Sequence, residues 1–300
     1  MKRLITLAAI AALGTTLAAY QAPAQAPAPT PTAAQLDVVK LKDNLFVITS
    51  STPGGPGFSG GNVSVFITDA GVTLVDTKLA AWGPALLDKL KTITPKPVTT
   101  IINTHTHGDH TGNDDKFGKV EIIAHENTKT NMAKMPAFQG ANAQYIPSKT
   151  FTNTWTQGKG KDQIDLRYFG ASHTSGDAVI IFPGLRVAQM GDMFAWKDAP
   201  LCDRANGGSC VAYPKTLAAA AAALKNIDTV IPGHSPMMKV SDVQEYQRFM
   251  ADLVSSSQAA MKAGKTVDEA VAAFSLAKYP GYKNERFKAA VQNIYDESKP

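Results

Sequence analysis

The chain has 300 residues, of which 44% are apolar, with 30 lysines and arginines against 25 aspartates and glutamates. That length accommodates one large α/β domain with a well-buried core. A net charge of +5 with no Lys/Arg block argues against a nucleic-acid partner, and beyond residue 35 no stretch is long and uncharged enough to span a membrane.

Met1, Lys2 and Arg3 precede an apolar run over residues 4–19, and small residues follow at 22–26. A basic start, a short apolar centre and a small-residue exit read as a secretory signal peptide over 1–24, because the run is shorter than the roughly 20 residues of a spanning helix. Pro and Ala alternate as far as residue 34, a composition that stays extended, so 25–35 reads as a linker and 36–300 as the folded domain. The expected location is periplasmic or secreted, with no stable membrane insertion once the signal is removed. Export places Cys202 and Cys210 of "LCDRANGGSC" in an oxidising compartment, where a disulfide between them is the expected state. Two unpaired thiols are the alternative.

The runs "LDVVKL", "NLFVIT", "NVSVFIT" and "VTLVDT", separated by turn-forming residues, predict antiparallel strands. Between the second and third lies "SSTPGGPGFSGGN", which lacks the Gly-Lys-Ser/Thr ending of a phosphate-binding loop and reads as a mobile loop bordering a pocket. "GPALLDKLKTI" predicts a helix and "VTTIINT" a strand. Strand and helix patterns continue through "VEIIAH", "ENTKTNMAK", "QIDLRYF", "AVIIFP", "LRVAQM", "TLAAAAAALKNI" and "TVIP", and from residue 240 the pattern is mostly helical. Two strand-led halves rich in βα units imply two sheets packed together with helices outside, an αββα sandwich of the α/β class.

"NTHTHGDHTG" follows the strand "VTTIINT" and concentrates His105, His107, Asp109 and His110. In extended chain His105, His107 and Asp109 point to one face, while His110 follows where the strand turns into a helix. The stretch can therefore feed two adjacent metal positions. A catalytic zinc takes three protein ligands and keeps a position open for water. Two such metals need about six groups, and His173 in "GASHTSGD", Asp192 in "MGDMF" and His234 in "IPGHSP" supply the remainder, each just beyond an apolar strand run.

His-x-His-x-Asp-His followed by separated His, Asp and His resembles the metallo-β-lactamase fold superfamily, as does "GNVSVFITDAGVTLVDT", over about residues 36–240. The resemblance implies that His105, His107 and His173 bind one zinc, that Asp109, His110 and His234 bind a second, and that Asp192 bridges them. It implies a hydrolase using a metal-bridging hydroxide, oriented by Asp109, on a carbonyl substrate. Neither Cys202 nor Cys210 falls where one lactamase subclass places a ligand cysteine, and the di-iron redox branch has Glu where this chain has His107. The pattern is similar instead to the third lactamase subclass and to the thioesterase and lactonase branches that include glyoxalase II.

Two zinc ions are the expected cofactors, with iron or manganese as alternatives, and a small molecule is the expected partner. A β-lactam is the first substrate expectation and antibiotic resistance the implied role. A thioester or lactone is the rival, and a non-catalytic exported zinc-binding protein is the reading from another class. Asp76 in "LVDT" is expected to orient the motif by accepting hydrogen bonds, against the plainer reading of a turn aspartate. Lys197, Arg204, Asn206 and Tyr213 follow Asp192 and are candidates to hold a substrate carboxylate or polarise a carbonyl, against that of a solvated surface loop. His125 is read as structural.

Overall fold

The computed structural model describes residues 30–49, 55 and 57–299, so the expected signal peptide and residues 25–29 of the expected linker lie outside the described residues. Against the expectation of extended chain through residue 35, Ala33–Gln35 form a 3-10 turn, and the Thr32 backbone N–H donates to the Gln35 side chain at 2.7 Å. Leu36 is the first buried side chain among the described residues.

Strands β1 (Val38–Lys42), β2 (Leu45–Ile48), β3 (Val63–Thr68) and β4 (Gly71–Val75) pair antiparallel in chain order. Helix α1 (Gly83–Ile93) crosses to β5 (Val98–Ile102), parallel to β4. The single turn α2 (Gly108–Thr111) leads to β6 (Glu121–His125), and α3 (Glu126–Met132) to β7 (Lys149–Phe151), completing a seven-stranded sheet. Strands β8 (Thr154–Gln157), β9 (Ile164–Tyr168), β10 (Ala178–Phe182) and β11 (Val187–Gly191) form an antiparallel set. The Ala-rich α4 (Tyr213–Ala223) crosses from β11 to β12 (Thr229–Pro232), which pairs parallel to it as the edge of a five-stranded sheet. Helices α5 (Val240–Lys262), α6 (Val267–Ala273) and α7 (Phe287–Ser298) end the chain.

Side chains alternate across a strand, so each sheet has two apolar faces to cover. Ala178, Ile180 and Phe182 of β10 face the other sheet, meeting Phe66, Val75, Ile102 and Ile123 in an inner core. Val179 and Ile181 of the same strand face outward beneath Leu217, Phe249, Leu253 and Val291 of the helices. On the far side Leu86 and Leu90, one helical turn apart on α1, cover Val65, Leu74 and Ile101. The layers therefore stack helix, sheet, sheet, helix. Full burial of each large apolar side chain contributes about 1.5–3 kcal/mol, which makes the sheet pair a rigid base for the loops at its rim.

Candidate metal centre

β5, β11 and β12 end at one rim, where the four motif loops meet. The extended chain after β5 runs to His107, which caps α2 with φ −68° and ψ 144°. The helical turn then starts at Gly108, so Asp109 leaves the alternation expected for extended chain and is grouped with His110. His173 comes from the β9–β10 connection, Asp192 from the first residue after β11, and His234 from the turn after β12.

These residues converge in three overlapping triads whose donor atoms lie within 4.8 Å of one another: His105, His107 and His173; Asp109, His110 and His234; and His105, His110 and Asp192. Asp192 thus shares one histidine with each of the other two sets. Oδ1 of Asp192 lies 3.3 Å from His110 Nε2 and 3.2 Å from His234 Nε2, and its Oδ2 lies 3.6 Å from His173 Nε2.

Four of the imidazoles are held by the ring nitrogen that faces away from the cluster. Asp76 Oδ2 accepts from His110 Nδ1 at 2.8 Å, Asp203 Oδ2 from His107 Nε2 at 2.7 Å, and the Leu201 carbonyl from His173 Nδ1 at 2.6 Å. Thr104 Oγ1 donates to Asp76 and therefore accepts from His105 Nδ1, at 3.0 Å. A neutral imidazole that donates outward presents an unprotonated nitrogen inward, the form a metal ion takes up. The inward nitrogens of His107 (Nδ1) and His173 (Nε2) confront each other at 2.8 Å, and that of His110 (Nε2) lies 3.2 Å from His234 Nε2. Among the described residues neither His105 Nε2 nor Asp192 Oδ1, both buried, has a hydrogen-bond partner. Buried lone pairs directed at one another are costly unless a cation lies between them, so the donor set fits metal ions.

The charges agree. Burial pushes the His105 and His173 imidazoles below their usual range, and for His105 the neighbouring His110 adds to the effect. Burial acts the same way on His110 and His234, yet Asp109 and Asp192 beside His110, and Asp192 and Asp109 beside His234, raise both above it. Asp109, which burial alone would raise, is held down to about 2 by His110 and His234. Asp192 is also held well below the carboxylate range, by His234 and His110 against its own burial. The carboxylates draw positive charge into this half of the cluster, which a bound cation supplies.

Backbone geometry sets these positions tightly. Asp76 is fully buried at φ 67° and accepts from Thr104 N and Thr104 Oγ1, both at 2.8 Å, as well as from His110, and so ties the start of the motif to its helical turn. A Cβ at Gly61 would strike the His110 ring, and one at Gly233 would strike Asp192 Oδ1. The Lys78 ammonium is buried between the carbonyls of Thr49 and Gly61, at 2.7 and 2.9 Å, and burial lowers it to about 7 against the fields of Asp109 and Asp76.

The loop after Asp192 differs from its expected use. Cys202 and Cys210 are joined in a disulfide. The loop they close serves the histidines: Leu201 and Asp203 hold His173 and His107, and Asp203 N donates to the His173 carbonyl at 2.8 Å. The four candidate substrate contacts all have other partners. Lys197 pairs with Asp242 and Glu245 of α5 at 2.8 and 3.1 Å, and Arg204 lies 3.8 Å from Asp296. The Asn206 amide donates to Asp203 at 2.6 Å, and the fully buried Tyr213 hydroxyl donates to the Asp192 carbonyl at 2.9 Å. None of the four lines the cavity over the cluster. His125 stacks on Tyr168 with ring centroids 3.8 Å apart and donates to the Thr152 carbonyl, remote from the centre.

That cavity, of about 190 Å³, exposes His107, Asp109, His173, Asp192 and His234 at its floor. Its walls include Phe58 from the glycine-rich loop, Trp196, Leu201 and Arg286. Sequence reasoning missed Asp203, Trp196 and Arg286. Asp203 was visible beside Cys202, but only the fold brings it to His107; Arg286, remote in the chain from every motif, carries no local signal.

A four-layer αββα sandwich with a His/Asp metal centre at its rim defines a metal-binding hydrolase class. The Metallo-beta-lactamase superfamily matches residues 56–234, and the chain belongs to it. It is 30% identical over 157 residues to a metallo-beta-lactamase type 2 of Elizabethkingia meningoseptica, covering 50% of this chain and 58% of that one. It is 35% identical over 136 residues to the 2,4-dinitroanisole O-demethylase subunit alpha of Nocardioides sp. (strain JS1661), covering 41% and 38%. The match thus spans less than two thirds of either relative. A metallo-beta-lactamase structure from Pontibacter korlensis superposes with a TM-score of 0.61 at 23% identity over 72% of this chain and 99% of that one, a likeness of fold.

Proposed function

We propose that the chain is an exported dinuclear zinc hydrolase acting on a carbonyl substrate, with a β-lactam as the first candidate. The observation that carries this reading is the set of mutually facing imidazole and carboxylate groups at the floor of an open cavity. Storage of metal alone requires no such opening. His105, His107 and His173 would hold one zinc and Asp109, His110 and His234 the other, with Asp192 between them. Bound zinc supplies a nucleophilic water ionised near neutral pH and polarises the carbonyl.

The chain's own groups do the rest. Asp109 reaches the cavity floor, and at about 2 its carboxylate remains an acceptor throughout the neutral range. It orients the attacking water by accepting its hydrogen bond. Phe58 and Trp196 wall the site against bulk solvent. A thioester or lactone is the second reading, favoured by an aspartate rather than a cysteine between the two triads.

The test is zinc-loaded protein against lactams, lactones, thioesters and phosphodiesters, with metal content measured alongside. Two zinc ions per chain and turnover of a lactam support the first reading. Asp109→Asn should retain much of the metal and lose more than tenfold in turnover, because an amide still offers zinc an oxygen but accepts protons poorly. A zinc-loaded protein inert to all four classes refutes the hydrolase.

A further inference from the structure

The cavity floor is imidazole and carboxylate and its walls are largely apolar, yet one arginine lines it. Arg286 is the only lysine or arginine among the described lining residues. It stands at the N-cap of α7, half-buried, with its guanidinium 4.4 Å from the Trp196 ring centroid. Trp196 in turn tilts over His234, with centroids 5.4 Å apart. The stack therefore fixes Arg286 relative to the second triad.

The loop between Asp192 and α4 carries two other cations, and both are paired elsewhere: Lys197 with Asp242 and Glu245, Arg204 with Asp296. Arg286 forms no ion pair with a described residue; the buried Asp198 acts on it through space while accepting from the Ala199 N–H at 2.7 Å. A planar fork held on an aromatic face that also lines the cavity matches a carboxylate.

We infer that Arg286 is the specificity-determining residue of this site and binds the carboxylate of an anionic carbonyl substrate, holding the scissile group over the His/Asp floor. The inference rests on the hydrolase reading and narrows its substrate class. Arg286 lies outside residues 56–234, so the preference comes from the C-terminal helices rather than from the matched family region.

The test compares zinc-loaded full-length protein on two pairs of probes: benzylpenicillin and its methyl ester, and mono-p-nitrophenyl glutarate and its methyl ester. Wild type should favour the free acid of a pair by at least tenfold in kcat/KM, as a charge-assisted bidentate contact predicts. Arg286→Ala should erase that ratio through a rise in KM for the acid, with kcat changing less than threefold, and Arg286→Lys should restore part of it. In parallel, glutarate titrated into the zinc-loaded protein should change the Trp196 fluorescence, an effect lost in Arg286→Ala and absent in the Trp196→Phe control. An acid-to-ester ratio unchanged by Arg286→Ala overturns the inference. Should neither pair turn over, the hydrolase reading falls for these esters and lactams, and the glutarate titration decides Arg286 by itself: the same response in wild type and Arg286→Ala refutes it.

Discussion

Asp76→Asn separates the charge that supports the metal centre from the shape that builds it. Asp76 sits at φ 67°, a region that asparagine tolerates and alanine does not, so the backbone is spared. Its carboxylate accepts three hydrogen bonds, from Thr104 N, Thr104 Oγ1 and His110 Nδ1, each at 2.8 Å. Asparagine keeps one oxygen for those donors and turns an N–H₂ toward at least one of them. Loss of the charged acceptor behind a metal-ligating imidazole typically costs 10–100-fold in metal affinity, about 1.4–2.7 kcal/mol. The loss should fall on the zinc held by Asp109, His110 and His234. Asp203→Asn, which disturbs His107, should instead weaken the zinc held with His105 and His173. Competition against a chromophoric chelator, with zinc per chain from elemental analysis, resolves the two sites. An Asp76→Asn protein that binds two zinc ions with wild-type affinity would refute the argument from His110 orientation.

Lys78 gives a pH test of stability. Its pKa falls from 10.5 to about 7 on folding, so between those values the unfolded chain holds the proton and the folded chain does not. Stability therefore rises with pH across that window: the cost of burying the ammonium is full below about pH 7 and vanishes as pH passes 10.5. Between pH 7.5 and 9.5, urea unfolding at constant zinc should show wild type gaining about 1–3 kcal/mol relative to Lys78→Met; equal slopes would show that the ammonium stays charged in the fold. Replacing Cys202 and Cys210 by serine should cost about 2–3 kcal/mol of stability and, because the loop holds His107 and His173, lower zinc affinity at their site. Unchanged affinity at that site would mean that Asp203 and Leu201 keep their places without the crosslink.

The converging histidines and aspartates were legible because their chemistry is local: metal-ligand types with short spacings, each just past an apolar strand. The sheets were legible where they are buried, as in "AVIIFP", which faces apolar layers on both sides as β10. Strands β7 and β8, only "KTF" and "TWTQ", offer no such run, and the polar edge strand β8 exposes Thr154 and Thr156. The substrate contacts failed for a different reason. Lys197 and Arg204 stand beside Asp192 and the disulfide in sequence, but carboxylates on α5 and α7 take them. Nearness in sequence gives no information about which nearby helix carries the countercharge.

The same helices that withdraw those cations supply Arg286. Phe287, the next residue, is buried against the outer face of the five-stranded sheet with Phe249 of α5, their ring centroids 5.7 Å apart. A side chain anchored in that core cannot shift without moving the guanidinium beside it. The layer that covers the sheet thereby fixes Arg286 at the cavity wall, while loops of the matched region position the converging histidines and aspartates. The two halves of the site should be separable. Loosening the Phe249–Phe287 contact should blur discrimination between acid and ester before it disturbs zinc, because no metal ligand lies on α5 or α7.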